Sequence, residues 1–254
     1  MRGVVSRTEI SCERPALARL LNGRDAAQAV ALVPLVYALC GQAQGIAARA
    51  ALAAARGAAM ATQVDATALA EAAREHAWKL FVDWPGQLEL APDAAFFVRL
   101  LRTAPEQRDE LPDALAAHEL PARLAAAAGK GAMAELFARR LKARLMALGD
   151  WLRNRPGTLG SVGASCLAPG IGEATVETAR GPLVHRLALA DDRVADYRIV
   201  APTDLRFAPD GEAAVSLQAL CGMSSRAAER EVKLLALTLD PCVPWECRVI
   251  DDDE

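Results

Sequence analysis

Residues 174–200 read ATVETARGPLVHRLALADDRVADYRIV. Three runs in this stretch, Ala174–Thr178, Leu183–Ala190 and Val194–Val200, carry the β-branched and aromatic content of strands. Asp191-Asp192 supplies a tight turn between the last two. The segment therefore predicts a small antiparallel sheet. From Asn154-Arg155-Pro156-Gly157 to Gly172 the chain is rich in Gly, Ser and Pro and reads as loop. After the strands, Pro209-Asp210-Gly211 is a turn. Helices are expected over Glu212–Leu220 and Arg226–Leu239, the second capped by Ser224 or Ser225. Asp251-Asp252-Asp253-Glu254 reads as a solvated acidic end.

The first 150 or so residues read as helical. Ile46–Thr62 is mostly Ala, Leu and Arg. Asp65 or Thr67 is placed to cap a helix whose Leu69, Ala73, His76 and Leu80 mark one face. Trp84-Pro85-Gly86 is expected to stop it. Asp93–Leu101 is a short apolar helix, and Pro112 and Pro121 suit two helix starts. Ala122–Leu152 divides near Gly129-Lys130-Gly131. The expectation is a mostly helical α+β chain. An alanine-rich helical region spans 1–153. A region of small sheet plus C-terminal helices spans 154–254. The two are expected to unfold as one cooperative unit.

Composition narrows function. The chain has 254 residues, 29 basic against 32 acidic, for a net charge of −3. That balance is unlike the basic footprint of a nucleic-acid binder. Hydrophobic residues reach 53% while aromatics are only 4%, which favours close-packed helices over a β-sandwich and argues against disorder. The longest apolar run, Ala29–Cys40, is shorter than the roughly 20 residues of a spanning helix. Met1–Leu20 is punctuated by charge and lacks the apolar stretch of a secretion signal. A cytoplasmic location is expected, and there the six cysteines would stay reduced. Gly129-Lys130-Gly131 lacks the Ser/Thr and the earlier glycine of a phosphate loop. His76, His118 and His185 have no zinc spacing. No dinucleotide fingerprint and no Gly-x-Ser-x-Gly elbow is present.

Four segments taken in order are more informative. They are Gly23-Arg24-Asp25 with Tyr37-Ala38-Leu39-Cys40-Gly41; Gly170-Ile171-Gly172 with Glu177-Thr178-Ala179-Arg180-Gly181-Pro182-Leu183-Val184-His185; Tyr197-Arg198-Ile199-Val200-Ala201-Pro202-Thr203; and Asp240-Pro241-Cys242. Their order resembles the large subunit of nickel–iron hydrogenases. That family carries Arg-x-Cys-Gly-x-Cys, Glu-x-Pro-Arg-Gly-x-Leu-x-His, a Tyr-x-x-x-x-Pro-Thr-like stretch and a terminal Asp-Pro-Cys-x-x-Cys. The departures are specific. Cys40 and Cys242 keep the positions of the two terminal nickel thiolates, but the bridging positions are Ala43 and Trp245. The family histidine falls at Ala47 and the opening arginine at Ala38. The chain is also much shorter than an enzymatic large subunit.

Without bridging thiolates a nickel–iron pair would not be held together, whereas two soft thiolates still suit a single soft iron. The resemblance implies that Arg180 and Thr203 donate to cyanide ligands of iron. It also implies that Leu183, Ala201 and Pro202 form the apolar wall for carbon monoxide. Cyanide, an anionic acceptor, wants charged or hydroxyl donors away from water. The pattern is similar to the HupK/HoxV-type hydrogenase formation proteins. It implies a shortened large-subunit-like fold and a non-catalytic scaffold that transiently holds the iron–dicyanide–carbonyl fragment, with no nickel. Cys40 and Cys242 would be its ligands, with Cys247 assisting or substituting. Expected partners are the large-subunit precursor, a small hydrogenase assembly chaperone and the iron-ligand assembly proteins; neither nucleic acid nor membrane is expected.

Plainer readings stand beside these. Cys40 ends an apolar run and reads also as a buried small residue. Cys12, Cys166 and Cys221 have no motif and read as structural. His185 reads as a strand residue bonded to backbone, Thr203 as a turn cap before Asp204, and Trp245 as packing in the space of a lost thiolate. A metal-free mimic of the large subunit that binds maturation chaperones is the alternative function. A reduced hydrogenase or a thiol oxidoreductase is less favoured, since no Cys-x-x-Cys motif is present.

Overall fold

The expected hairpin forms around Asp191 and Asp192, which both take left-handed φ values, 48° and 59°. A two-residue connection between right-twisted strands requires that backbone, and Asp tolerates it. In the computed structural model, which describes residues 3–12, 17–37, 40–248 and 250, the hairpin belongs to a larger sheet. Its strands are β1 (Met60–Val64), β2 (Ser161–Ala168), β3 (Ile171–Thr178), β4 (Gly181–Ala190) and β5 (Arg193–Val200). They lie side by side in that order, each antiparallel to the next.

Two of these strands correct the sequence reading. β2 lies in the Gly/Ser-rich stretch read as loop, and β1 replaces the end of the helix drawn from Ile46 to Thr62. The strand residues of β2 are mostly small, so composition conceals them, and pairing with β1 and β3 supplies what propensity does not.

The helices are α1 (Ala26–Val36), α2 (Gly41–Ala55), α3 (Ala66–Trp78), α4 (Trp84–Gln87), α5 (Ala94–Arg102), α6 (Leu111–Ala116), α7 (Leu120–Ala128), α8 (Ala132–Leu152), α9 (Pro202–Arg206), α10 (Glu212–Gln218) and α11 (Ser225–Leu239). Asp65 caps α3 and Asp93 caps α5 through side-chain oxygens. Pro112 and Pro121 sit in first turns, as expected. Pro85 lies in α4, and the helical run ends at Gln87, one residue past Trp84-Pro85-Gly86, as expected. That run is α3, a π-helical turn over Lys79–Asp83, and α4 in succession. Ser224 precedes α11 without a side-chain capping bond. None of the helices among the described residues is long and apolar enough to cross a membrane.

The chain forms two compact units, each built from separate stretches of sequence. One comprises residues 14–76 and 150–202; the other comprises 1–13, 77–149 and 203–254. The acidic end, 251–254, and the position of Ala38 fall outside the described residues.

In the first unit α2 lies on the sheet. Ala48 and Ala51 pack with Ala174, Leu187, Val194 and Tyr197, while Ala43 and Ala47 pack with Val162, Val176, Leu183 and Ala201. Alanine is needed because the helix comes very close. A Cβ on Gly172 would overlap the Ala51 carbonyl oxygen and the Ala55 nitrogen. In the second unit Trp84 and Phe137 pack at 4.8 Å between ring centroids, and Phe81 meets Phe96 edge-on at 4.9 Å. Residues near the start of the chain join this unit, with Val4 bridged to Ser224.

Gly172→Ala is expected to destabilise the first unit by about 1–3 kcal/mol, the range for overpacking. Gly86→Ala, where a Cβ meets nothing within 4 Å, should change stability little. Urea unfolding of the two variants checks the contrast.

Candidate functional site

Cys40 is the residue immediately before α2. Its carbonyl accepts the Gln44 backbone N–H at 2.9 Å, and its side chain is half-buried. In the first turn of α2 the N–H groups of Gln42 and Ala43 are held by the Glu71 carboxylate at 3.0 and 2.9 Å. A carboxylate there satisfies orphan donors and complements the helix dipole. The Gln44 side-chain amide donates to the Cys40 sulfur at 3.6 Å, and its carbonyl oxygen faces His185 Nε2 at 2.9 Å. His185 Nδ1 in turn lies 2.8 Å from the Tyr197 hydroxyl.

His185 thus corrects the expectation of a backbone-bonded strand residue. It is 0% exposed and bonded by side chains on both nitrogens. Burial pushes its pKa down to about 3, so the ring is neutral at pH 7. Burial, with a smaller contribution from Tyr37, pushes Tyr197 up, so the phenol keeps its proton.

Arg180 occupies the two-residue connection between β3 and β4. The turn is locked by Thr178, whose hydroxyl donates to the Gly181 carbonyl at 2.7 Å and accepts the Arg180 N–H at 3.2 Å. Arg180 is only 8% exposed, unusual for a hairpin tip, and its guanidinium pairs with Glu75 at 2.7 Å. Leu183 and Ala201 share one apolar cluster and are 1% and 3% exposed. Pro202, also buried, opens α9. Ala43 and Ala47, at the positions of the second cysteine and the histidine of the family pattern, belong to that same cluster.

Thr203 and Cys242 meet in the second unit. The Thr203 hydroxyl accepts the Cys242 backbone N–H at 3.1 Å and donates to the Cys242 sulfur at 3.2 Å. Thr203 is 2% exposed, and Cys242 is half-buried. This is more than the turn cap the local sequence allows. Two residues earlier, Asp240 ends α11 in a left-handed conformation with φ 52°. Its buried carboxylate pairs with Arg144 at 2.6 Å and Lys79 at 2.8 Å. Lys79 comes from the π-helical turn and also binds Asp83. Arg144 lies over the Trp84 ring, 5.2 Å from its centroid. Arg206 donates to the Leu239 carbonyl at 3.0 Å, and burial draws its pKa down to about 10. The Asp-Pro-Cys segment is therefore fixed by buried charge rather than hung on a loose tail.

The remaining candidates are less engaged. Cys247 is exposed, and partial desolvation with nearby Glu229 raises its thiol pKa. Trp245 is 44% exposed, so it does not fill a buried space. Cys12, Cys166 and Cys221 are exposed, against the expectation of structural burial. Cys40, Arg180, Leu183, Ala201 and Pro202 belong to the first unit; Thr203, Cys242 and Cys247 belong to the second. Gln44, Glu71, Glu75, Lys79 and Arg144 escaped the sequence reading. Glu71, Glu75 and Lys79 are four residues apart in sequence, a charged stripe that is a usable signal.

Comparison with known proteins agrees with the ordered motifs. The chain is 35% identical over 181 residues to the hydrogenase expression/formation protein HupK of Rhizobium leguminosarum bv. viciae, covering 65% of this chain and 47% of that protein. It is 42% identical over 86 residues to HupK of Azotobacter vinelandii, covering 33% of this chain and 24% of that protein. It is also 40% identical over 88 residues to HoxV of Cupriavidus necator, covering 33% and 23%.

The chain is a homologue of the HupK and HoxV hydrogenase expression/formation proteins.

Its matches span less than half the length of these relatives. No family model matches it. Among solved structures it resembles the nickel–iron–selenium hydrogenase of Desulfovibrio vulgaris Hildenborough, with TM-score 0.56 and 12% identity over 95% of this chain and 92% of that one. A second structure of that hydrogenase, in the reduced state, gives TM-score 0.55. This likeness is one of fold, and it is the shortened large-subunit-like fold expected from the motifs.

Two outcomes test the site's energetics. Asp240→Asn removes the buried negative charge that pairs with Arg144 and Lys79 and should cost about 3–5 kcal/mol in urea unfolding. His185 gives a pH signature. Its folded pKa lies below the unfolded value, so acid favours the unfolded chain, which takes up the proton first. Its contribution is full above the unfolded value near 6.5 and declines as pH falls from there toward 3. The slope should approach about 1.4 kcal/mol per pH unit, and His185→Gln should flatten it.

Proposed function

We propose that this protein acts in nickel–iron hydrogenase maturation as a non-catalytic scaffold. Its cargo is an iron fragment carrying cyanide and carbon monoxide, held before transfer to the large-subunit precursor. The observation that carries this reading is the burial of two polar groups. Arg180 and Thr203, the cyanide-donor positions of the resemblance, are withdrawn from water to 8% and 2% exposure. A mimic that needed only a recognition surface would not require either group to be desolvated, and desolvation is costly.

The donor chemistry fits such a cargo. Among the described residues no group of three or more His, Cys, Asp or Glu side chains is placed to hold a bare metal ion. A fragment that brings its own diatomic ligands needs few protein donors, and soft thiolates suit it. In this reading Cys40 and Cys242 ligate the iron and Cys247, exposed beyond Cys242, assists exchange. Leu183, Ala201 and Pro202 line the carbonyl side. No nickel is held, because the bridging thiolates are replaced by Ala43 and Trp245. The partners are the large-subunit precursor, a small assembly chaperone and the iron-ligand assembly proteins. The setting is the cytoplasm, with no role for nucleic acid or membrane.

The test is infrared spectroscopy with metal analysis on protein purified without oxygen from cells that make the iron-ligand assembly proteins. Cyanide and carbonyl bands with about one iron per chain are expected, as two thiolates suit a single soft iron. Cys40→Ala and Cys242→Ala should each abolish the bands. Protein that still captures its partners but never shows bands would replace the scaffold with the metal-free mimic.

A further inference from the structure

We propose that Tyr197, His185 and Gln44 form a directional hydrogen-bond chain that positions the Cys40 sulfur by presenting an amide N–H to it. The proposal deepens the scaffold reading, since it concerns one of the thiolates assigned there to the cargo. Gln44 is the positioning residue, and His185 and Tyr197 act through it.

The direction follows from the donor inventory. A neutral imidazole has one N–H and one acceptor nitrogen. The Gln44 carbonyl oxygen can only accept, so His185 Nε2 carries the proton and donates across 2.9 Å. Nδ1 is then the acceptor and takes the Tyr197 O–H across 2.8 Å. With its oxygen occupied, the Gln44 amide nitrogen is turned to the sulfur, 3.6 Å away. Gln44 is 1% exposed, His185 0% and Tyr197 2%. Three buried polar groups are tolerated only when paired, and a wholly apolar trio would pack at less cost. Here the chain of pairs begins in the sheet at Tyr197 and His185, passes to α2 at Gln44 and ends on a sulfur.

The consequence is chemical as well as steric. An N–H donor draws electron density from the sulfur and stabilises its anionic form, as hydrogen bonds around a cysteine ligand tune its metal. A thiolate so held is fixed in place yet is a moderated electron donor. That suits a cargo that must later be released.

Site-resolved alkylation of the metal-free full chain with iodoacetamide at one fixed pH tests this, with exposed Cys166 as internal reference. Gln44→Met keeps the bulk and removes the donor, and should slow Cys40 alkylation by about threefold, because a smaller thiolate fraction outweighs the greater nucleophilicity of the freed sulfur. Gln44→Glu keeps the acceptor for His185 but presents a carboxylate to the sulfur, and should slow it at least as much. Tyr197→Phe, which removes only the outermost donor, should slow it less. A residue that merely packed would have the opposite sign, since loosening α2 exposes Cys40 and speeds the reaction. Unchanged or faster alkylation in the Gln44 variants, with Cys166 unaffected, would overturn the proposal. Either Gln44 variant is sufficient if the other does not fold. Slowed alkylation with no infrared bands in the unsubstituted protein would sink the cargo reading alone. Bands with insensitive alkylation would sink the positioning chain alone.

Discussion

The close approach of α2 to the sheet is the constraint on which the first unit depends. Gly172 removes the one Cβ that would hold the helix off, and the alanines of α2 do the rest. With the helix this close, its first turn is brought against β4, and Gln44 reaches His185 directly. Cys40 sits at the helix start and so inherits its position from the same contact. Glu71 completes the arrangement by binding the exposed N–H groups of the first turn.

The same packing includes two positions of the family pattern. In the hydrogenase pattern the second cysteine and the histidine fall at Ala43 and Ala47. Here both positions lie in the apolar cluster with Val176, Leu183 and Ala201. Methyl groups at these sites pack within that cluster. The Glu71 carboxylate takes the Ala43 N–H, so the helix start is electrostatically satisfied without a bound anion.

Much of this was legible in sequence, and the failures have physical causes. The β3–β5 strands announced themselves through alternating branched residues and the Asp191-Asp192 turn. The α7–α8 break was legible from Gly129 and Gly131, and the α5 start from Asp93. β2 was not, because Gly163, Ala164, Ser165 and Ala168 lack strand propensity and only their neighbours make them a strand. The stop near Trp84-Pro85-Gly86 was legible to within one residue, but the π-helical turn before it was not. At the site, Arg180, Thr203, Cys40 and Cys242 came from motif order. Their partners did not, since Glu75 and Arg180 are separated by 105 positions and Arg144 and Asp240 by 96. His185 was underestimated because nothing local shows that a strand histidine will face an amide from another element.

The second unit illustrates how the Asp240-Pro241-Cys242 segment is fixed in place. A left-handed residue followed by proline would by itself leave Cys242 poorly fixed. Asp240 is instead gripped by Arg144 and Lys79, and the Cys242 backbone is tied to Thr203. A buried carboxylate between two cations is a poor source of net stability but a strong source of register, because any other placement leaves charge unpaired. The π-helical turn has a place in this. It carries Lys79, whose ammonium spans Asp83 in its own turn and Asp240 at the end of α11. Thr203 then both accepts from the backbone of Cys242 and donates to its sulfur, so the residue implied as a cyanide donor also positions that sulfur. In the scaffold reading, cargo and Cys242 would compete for that one O–H. Engaging the cyanide would release the sulfur from its donor and strengthen it as a ligand, coupling capture of the diatomic ligand to the grip on iron.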